Sequence, residues 1–299
     1  MAEQPLTDKL QSLVAQAVQR ALLLLPEQEQ VDWAVQTAVR WQRSRQLGQF
    51  HAHSQVDPVR LADLLHIDDQ KAQLAANTRQ LLQGLPANNA LLWGARGTGK
   101  SSLVHALLNE YAQQGLRLVE IGREDLADLG EVIERLTALP YAFIVFCDDL
   151  SFEADDPSYK ALKSALEGSI FRTAGNVVIY ATSNRRHLVP EHMSDNQQSH
   201  LVDGELHHGE AVEEKISLSD RFGVWLSFYP LRQDAYLEVV AHWVTQLAAA
   251  YQVDVDLADG NLRMQALQWA LARGTRNGRT AQYFARDWVG QLGLQKQQP

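Results

Sequence analysis

The chain has 299 residues, enough for one large domain with its own core or two smaller ones, and 45% of them are hydrophobic, as in ordinary globular proteins. A net charge of −9 excludes a global basic footprint for nucleic acid and leaves such a partner only a local basic patch. The single cysteine, Cys147, excludes an intrachain disulfide framework and points to a reducing, cytoplasmic setting.

Residues 1–60 read as an N-terminal helical extension. They lack the basic-then-apolar order of a secretory signal. The run ALLLL at residues 21–25 is far shorter than the roughly 20 residues that span a bilayer, so no membrane is expected. Leu10, Leu13, Val14, Ala17, Val18, Ala21 and Leu22 recur at helical spacing until Pro26 stops or bends the helix. A second helix is predicted across VDWAVQTAVRWQRS, with Val31, Ala34, Val35, Ala38 and Trp41 on one side. The extension either packs on the main domain or docks a partner.

A further helix is predicted over residues 69–82, then a turn through residues 84–89 and a buried strand, ALLWG. The apolar strands ALLW, RLVEI, AFIVFCDD and NVVIYATSN follow one another with helices between, such as KSSLVHALLNEYAQQG and YKALKSALEG. That alternation predicts a parallel sheet covered on both faces. Residues 185–215 are polar and long for a loop. They hold five of the ten histidines, His187, His192, His200, His207 and His208, without the spacing of a zinc motif. A mobile or partner-binding insertion is expected there ahead of a metal site. After RFGVWLSFYP the chain is predicted helical to its end.

Gly94, Gly99, Lys100 and Ser101 fit G-x-x-x-x-G-K-[ST] in full, with a strand before and a helix after. Such a loop turns backbone N–H groups and a helix N-terminus toward phosphate oxygens. Lys100 would reach the β and γ phosphates, and Ser101 would hold Mg²⁺. In FIVFCDDL a buried strand ends in Asp148 and Asp149, where ligands bind in parallel sheets. Asp148 could hold Mg²⁺, and Asp149 could orient or deprotonate water. Asn184 ends the strand VVIYATSN, as a water-positioning amide or simply as a turn residue. Arg221, in SDRFG, is a candidate for supply in trans or a surface arginine paired with Asp220. In RGTRNGRTAQYF, Thr275 or Asn277 is the expected cap of a helix. Arg279 in its first turn and Arg276 before it are unfavourable for the helix dipole unless an anion is near.

Together these residues resemble the AAA+ P-loop ATPase superfamily, and most nearly a family of uncharacterised bacterial AAA+ ATP-binding proteins. NNALLWGARGTGKSS, FCDDLSF, ATSNRRHL, EAVEEKISLSDRFG and NGRTAQYF carry the likeness, which covers about residues 60–295. It implies an α/β fold: a P-loop NTPase parallel sheet flanked by helices, with a C-terminal helical lid. The core would span residues 61–231 and the lid residues 232–299. ATP and Mg²⁺ are the implied cofactors. Gly94, Ala95, Arg96, Gly97, Thr98, Gly99, Lys100, Ser101 and Ser102 would form the phosphate loop, with Asp148 as the metal aspartate and Asn184 as the first sensor. Arg221 would be the arginine finger of a homo-oligomer, and Arg279, with Arg276 as alternative, the second sensor. Adenine would lie near residues 64–68. The usual Asp-Glu is Asp148-Asp149 here, one methylene shorter, which implies slow hydrolysis or another acid such as Glu153. Two functions follow: an ATPase that remodels or loads an unidentified partner, or a slow or non-hydrolysing ATP-dependent switch that docks one.

Overall fold

The computed structural model describes residues 14, 16, 31–44, 47–52, 56–152, 157–166, 175–185, 200–202, 205–207 and 220–297. Its strands are β1 (Ala38–Ser44), β2 (Leu47–Ala52), β3 (Ala90–Gly94), β4 (Leu116–Ile121), β5 (Ala142–Cys147), β6 (Val177–Ser183), β7 (His200–Val202), β8 (Glu205–His207) and β9 (Val224–Phe228). Its α-helices are α1 (Asp68–Leu82), α2 (Lys100–Tyr111), α3 (Leu129–Thr137), α4 (Pro157–Leu166), α5 (Gln233–Tyr251), α6 (Gly260–Ala272) and α7 (Gly278–Gln297).

Seven strands form one sheet in the order β2-β1-β4-β5-β6-β3-β9. All neighbours are parallel except β1 and β2, which pair antiparallel. The central strands are apolar along their whole length because both faces are covered. Successive residues alternate between two cores. Val119, Phe143, Val145, Cys147 and Ile179 meet α3 and α4 on one face. Leu118, Ile144, Phe146, Val178 and Tyr180 meet α1 and α2 on the other. A third core, around Tyr236, Val240, Val244, Ala266, Phe284 and Val289, joins α5, α6 and α7.

The helical character expected for residues 31–44 is wrong. β1 occupies Ala38–Ser44, pairs with β2 and lies parallel to β4, so the main sheet runs across residue 60. Val39 and Trp41 enter one core and Ala38 the other. Val39 and Trp41 alternate with the less buried Arg40 and Gln42, as a strand's residues do, while Val31, Ala34 and Val35, which completed the expected helical stripe, precede the strand, and Val35 is exposed. The helix expected over residues 10–22 lies outside the described residues, Val14 and Gln16 apart. Within the 185–215 stretch, β7 and β8 form a separate antiparallel ribbon. His187, His192, His208 and Glu153 lie outside the described residues. Among the described residues no helix is long and apolar enough to cross a membrane.

Candidate functional site

The loop between β3 and α2 is shaped by close backbone approaches. At Gly94, φ is +135° and a β-carbon would stand 1.9 Å from the carbonyl oxygen of Phe228 on β9, so only glycine fits. The next residue, Ala95, donates its N–H to that oxygen at 3.2 Å. Thr98 closes the loop by donating its hydroxyl to the Ala95 carbonyl at 2.7 Å. Lys100 opens α2 with a buried side chain whose Nζ donates to the carbonyls of Gly94 (2.8 Å) and Ala95 (2.9 Å) and to Oδ1 of Asn184 (3.2 Å). Burial pushes its ammonium below the usual lysine range, while Asp148 and Asp149 pull the other way.

β6 lies between β3 and β5, so three strand ends converge on this loop. Ser101 Oγ donates to Asp148 Oδ1 at 2.7 Å. The hydroxyl of Thr182 donates to the same oxygen at 2.6 Å and accepts the N–H of Asp149 at 2.9 Å. Asp149 is left-handed, with φ +51°. Its carboxylate accepts the Asn184 side-chain amide and stands 3.7 Å from Arg96 of the loop. A hydroxyl and an exposed carboxylate in contact beside the lysine are hard oxygen donors that suit Mg²⁺.

The lid docks directly on the loop. Asn277 donates its amide to the carbonyl of Arg96 at 2.8 Å, and its Oδ1 accepts the N–H of Thr280 at 2.8 Å, capping α7. The backbone N–H of Arg279 reaches the Gly97 carbonyl at 3.1 Å. Core and lid enclose a cavity of about 380 Å³, within the range of small-molecule sites. The residues from Arg96 to Ser102, with Asp148, Asp149, Thr182, Asn184 and Arg279, line its polar end. Leu64, Leu65, Ile67, Val239 and Trp243 supply apolar lining.

Of the 64–68 stretch, His66 and Asp68 do not line the cavity: His66 pairs with Glu238 at 2.9 Å and Asp68 with Lys71 at 2.8 Å. Arg276 is also absent from the walls, and its carbonyl accepts the N–H of Leu231 at 2.7 Å. Ala95 contributes its backbone to Lys100 rather than a cavity wall. Arg221 stands before β9, whose Val224 pairs with Ala90 at the start of β3. In a parallel pair that is the end of the sheet opposite the loop between β3 and α2, and Arg221 does not line the cavity of its own chain.

Thr182, Arg286 and Asp63 are among the lining residues that sequence reasoning misses. Thr182 is buried one residue short of a strand tip. Arg286 shares a stripe of α7 with Arg279, Gln282 and Tyr283, the i, i+3, i+4, i+7 spacing that could have signalled it. Asp63 lines the cavity with its carboxylate held by Arg60 at 3.0 and 3.2 Å and by His242 of α5 at 3.2 Å.

Residues 34–292 match a family model described as "Protein of unknown function (DUF815)". The large subunit of replication factor C from Staphylothermus marinus is 41% identical over 69 residues, a stretch that is 23% of this chain and only 16% of that protein. Among solved structures, a RuvB mutant from Thermotoga maritima is 18% identical, with a TM-score of 0.51 over 80% of this chain and 68% of that one. ORC1 of Aeropyrum pernix, solved in complex with DNA, is 16% identical, with a TM-score of 0.53 over 78% of this chain and 61% of that one. At these identities the likeness is one of fold, and the fold is that of the AAA+ P-loop ATPases.

Proposed function

The chain belongs to the DUF815 family, and for this member of it we propose an ATP-binding protein that hydrolyses ATP with Mg²⁺ and couples the cycle to remodelling or loading a macromolecular partner. The observation that carries the reading is the convergence of Lys100, Ser101, Asp148, Asp149 and Asn184 from adjacent strand ends on one cavity that Arg279 completes from the lid.

The loop from Gly94 to Ser102 wraps the phosphates, and Lys100 exchanges its carbonyl partners for β and γ oxygens. Ser101 and Asp148 hold the metal, which when bound neutralises charge on the transferring phosphoryl group. Asp149 accepts a proton from the attacking water, held in place by Asn184. The new bond joins the water oxygen to the γ phosphorus, the bond from that phosphorus to the ADP oxygen breaks, and Arg279 faces the developing charge. Arg221, at the far end of its own sheet, serves the site of a neighbouring copy, so the active unit is a homo-oligomer in the cytoplasm. Adenine lies against Leu64 and Ile67. The core spans residues 61–231 together with the β1-β2 pair, and the lid residues 232–299.

ATP turnover across a protein concentration series tests this. Specific activity should climb with concentration and vanish in Lys100→Ala and Arg221→Ala. Flat, negligible turnover that Arg221→Ala does not change overturns the motor reading. A second reading, a slow ATP-dependent switch that docks a protein partner, draws on Asp149 itself, whose shorter carboxylate is engaged by Asn184 and faces Arg96.

A further inference from the structure

We propose that Thr182 is a positioning residue for both acids of the site: one buried hydroxyl orients the metal-binding carboxylate of Asp148 and holds the backbone of Asp149. The inference rests on the ATP and Mg²⁺ reading above. It goes beyond that reading by assigning the geometry of the acid pair to a third side chain that bonds to both acids.

Thr182 lies on β6 opposite Leu92 of β3, and its residue is 1% exposed. Its hydroxyl has one proton to give. The Asp149 backbone N–H can only donate, so Thr182 Oγ1 accepts there, at 2.9 Å. The hydroxyl proton therefore goes to Asp148 Oδ1, 2.6 Å away. Both roles are forced, and neither can be reversed. The Thr182 carbonyl also accepts the N–H of Leu150 at 2.7 Å, so Thr182 bonds to three successive residues of the turn after β5, and Ser183 adds a hydroxyl to the Leu150 carbonyl at 2.8 Å.

Two consequences follow. Asp148 Oδ1 takes hydroxyl protons from Ser101 and Thr182 together, which fixes the rotation of its carboxylate. Asp149 sits at φ +51°, a left-handed conformation that a non-glycine residue keeps only when its surroundings hold it. Thr182 supplies the bond to its backbone, and that conformation brings its carboxylate to Asn184 and Arg96. Partners behind a metal-binding carboxylate are tuned in this way at many sites.

The test is the ATP affinity of the full-length protein, read with a fluorescent ATP analogue in Mg²⁺ and again in EDTA, for wild type, Thr182→Val and Thr182→Ser. Valine keeps the shape and removes the hydroxyl; serine keeps the hydroxyl. The expected result is that Thr182→Val shrinks the tightening due to Mg²⁺ by about 10-fold, leaves the EDTA affinity unchanged, and is rescued by serine. Where turnover is measurable, kcat should fall more than KM rises. Two results overturn the proposal: a valine variant that keeps the wild-type ratio of the two affinities, whether neither falls or both fall equally, or a wild type whose affinity ignores Mg²⁺. Neither affinity needs turnover. A protein that binds ATP without hydrolysing it therefore defeats the hydrolysis reading, while the valine variant still decides this one.

Discussion

Asn277 packs against Gly97 so tightly that a β-carbon on the glycine would stand 2.7 Å from the Asn277 amide nitrogen. The same side chain donates to Arg96 and caps α7. Lid and loop therefore meet through the Asn277 side chain and through the Arg279 N–H on the Gly97 carbonyl, and whatever orders the loop orders the lid. Asn277→Ala should lower stability by about 0.5–2 kcal/mol through the lost cap and weaken ATP binding in the same variant. Gly97→Ala, at φ +75°, should weaken ATP binding more than it lowers the melting temperature. Calorimetry and a binding titration read both. Wild-type affinity in both variants would disprove the coupling.

Arg221 lies at the end of the sheet opposite the loop between β3 and α2 and does not line the cavity of its own chain, so the proposed homo-oligomer makes a direct prediction. Lys100→Ala and Arg221→Ala should each be inactive alone and regain turnover when mixed, because a mixed assembly rebuilds sites with an intact lysine and an intact incoming arginine. A mixture as inactive as its components would count against sharing between subunits.

Asp63 joins the wall of the cavity to α5 through His242. Burial works to raise its carboxyl, but the Arg60 side chain and backbone N–H, with His242, outweigh burial and hold it below the ordinary 3.8. Its contribution to stability is full above that unfolded value and is lost as the pH falls through the lower folded one. Asp63→Asn should thus be less stable at neutral pH and show a flatter acid limb in urea unfolding followed against pH. An unchanged acid limb would remove Asp63 from the balance.

Burial pushes the Cys147 thiol up to about 12. It should resist a thiol reagent in the native protein and react fully in denaturant. Fast native labelling would mean that the end of β5 opens beside the acid pair.

Trp41 is fully buried on β1, donates to Asp128 at 3.0 Å and lies where a β-carbon on Gly48 would collide with it at 1.9 Å. Trp41→Ala should cost about 3–5 kcal/mol, as large-to-small changes in cores do. A loss near zero would restore residues 31–52 to the status of a detachable appendage.

The loop between β3 and α2 and the position of the two acids after β5 were legible because each depends on short-range requirements. A tight turn, a helix start and a strand tip each need particular residues within a few positions, so Gly94, Lys100, Ser101 and Asp148 announce themselves by spacing. The N-terminal strands were not legible. Ala38 and Trp41, three apart, complete a helical stripe with Val31, Ala34 and Val35, whereas in the strand Trp41 shares its core with Val39 and Ala38 enters the other, a choice made by pairing with β4 some eighty residues on. Arg276 and Arg279 were indistinguishable by composition until the cap at Asn277 turned one toward the cavity and left the other outside it.

By itself the sequence determined the chemistry at each strand end and the alternation of strands and helices, because both follow from short-range backbone and side-chain requirements. Only the tertiary structure decided the rest. The order of strands places β6 between β3 and β5, so the hydroxyl of Thr182 meets both acids and Asn184 meets the lysine. Packing of α7 on the loop brings Arg279 to the cavity, and the parallel run of β9 carries Arg221 away from it. These relationships depend on which buried faces fit together over long separations, and residue spacing carries no record of that fit.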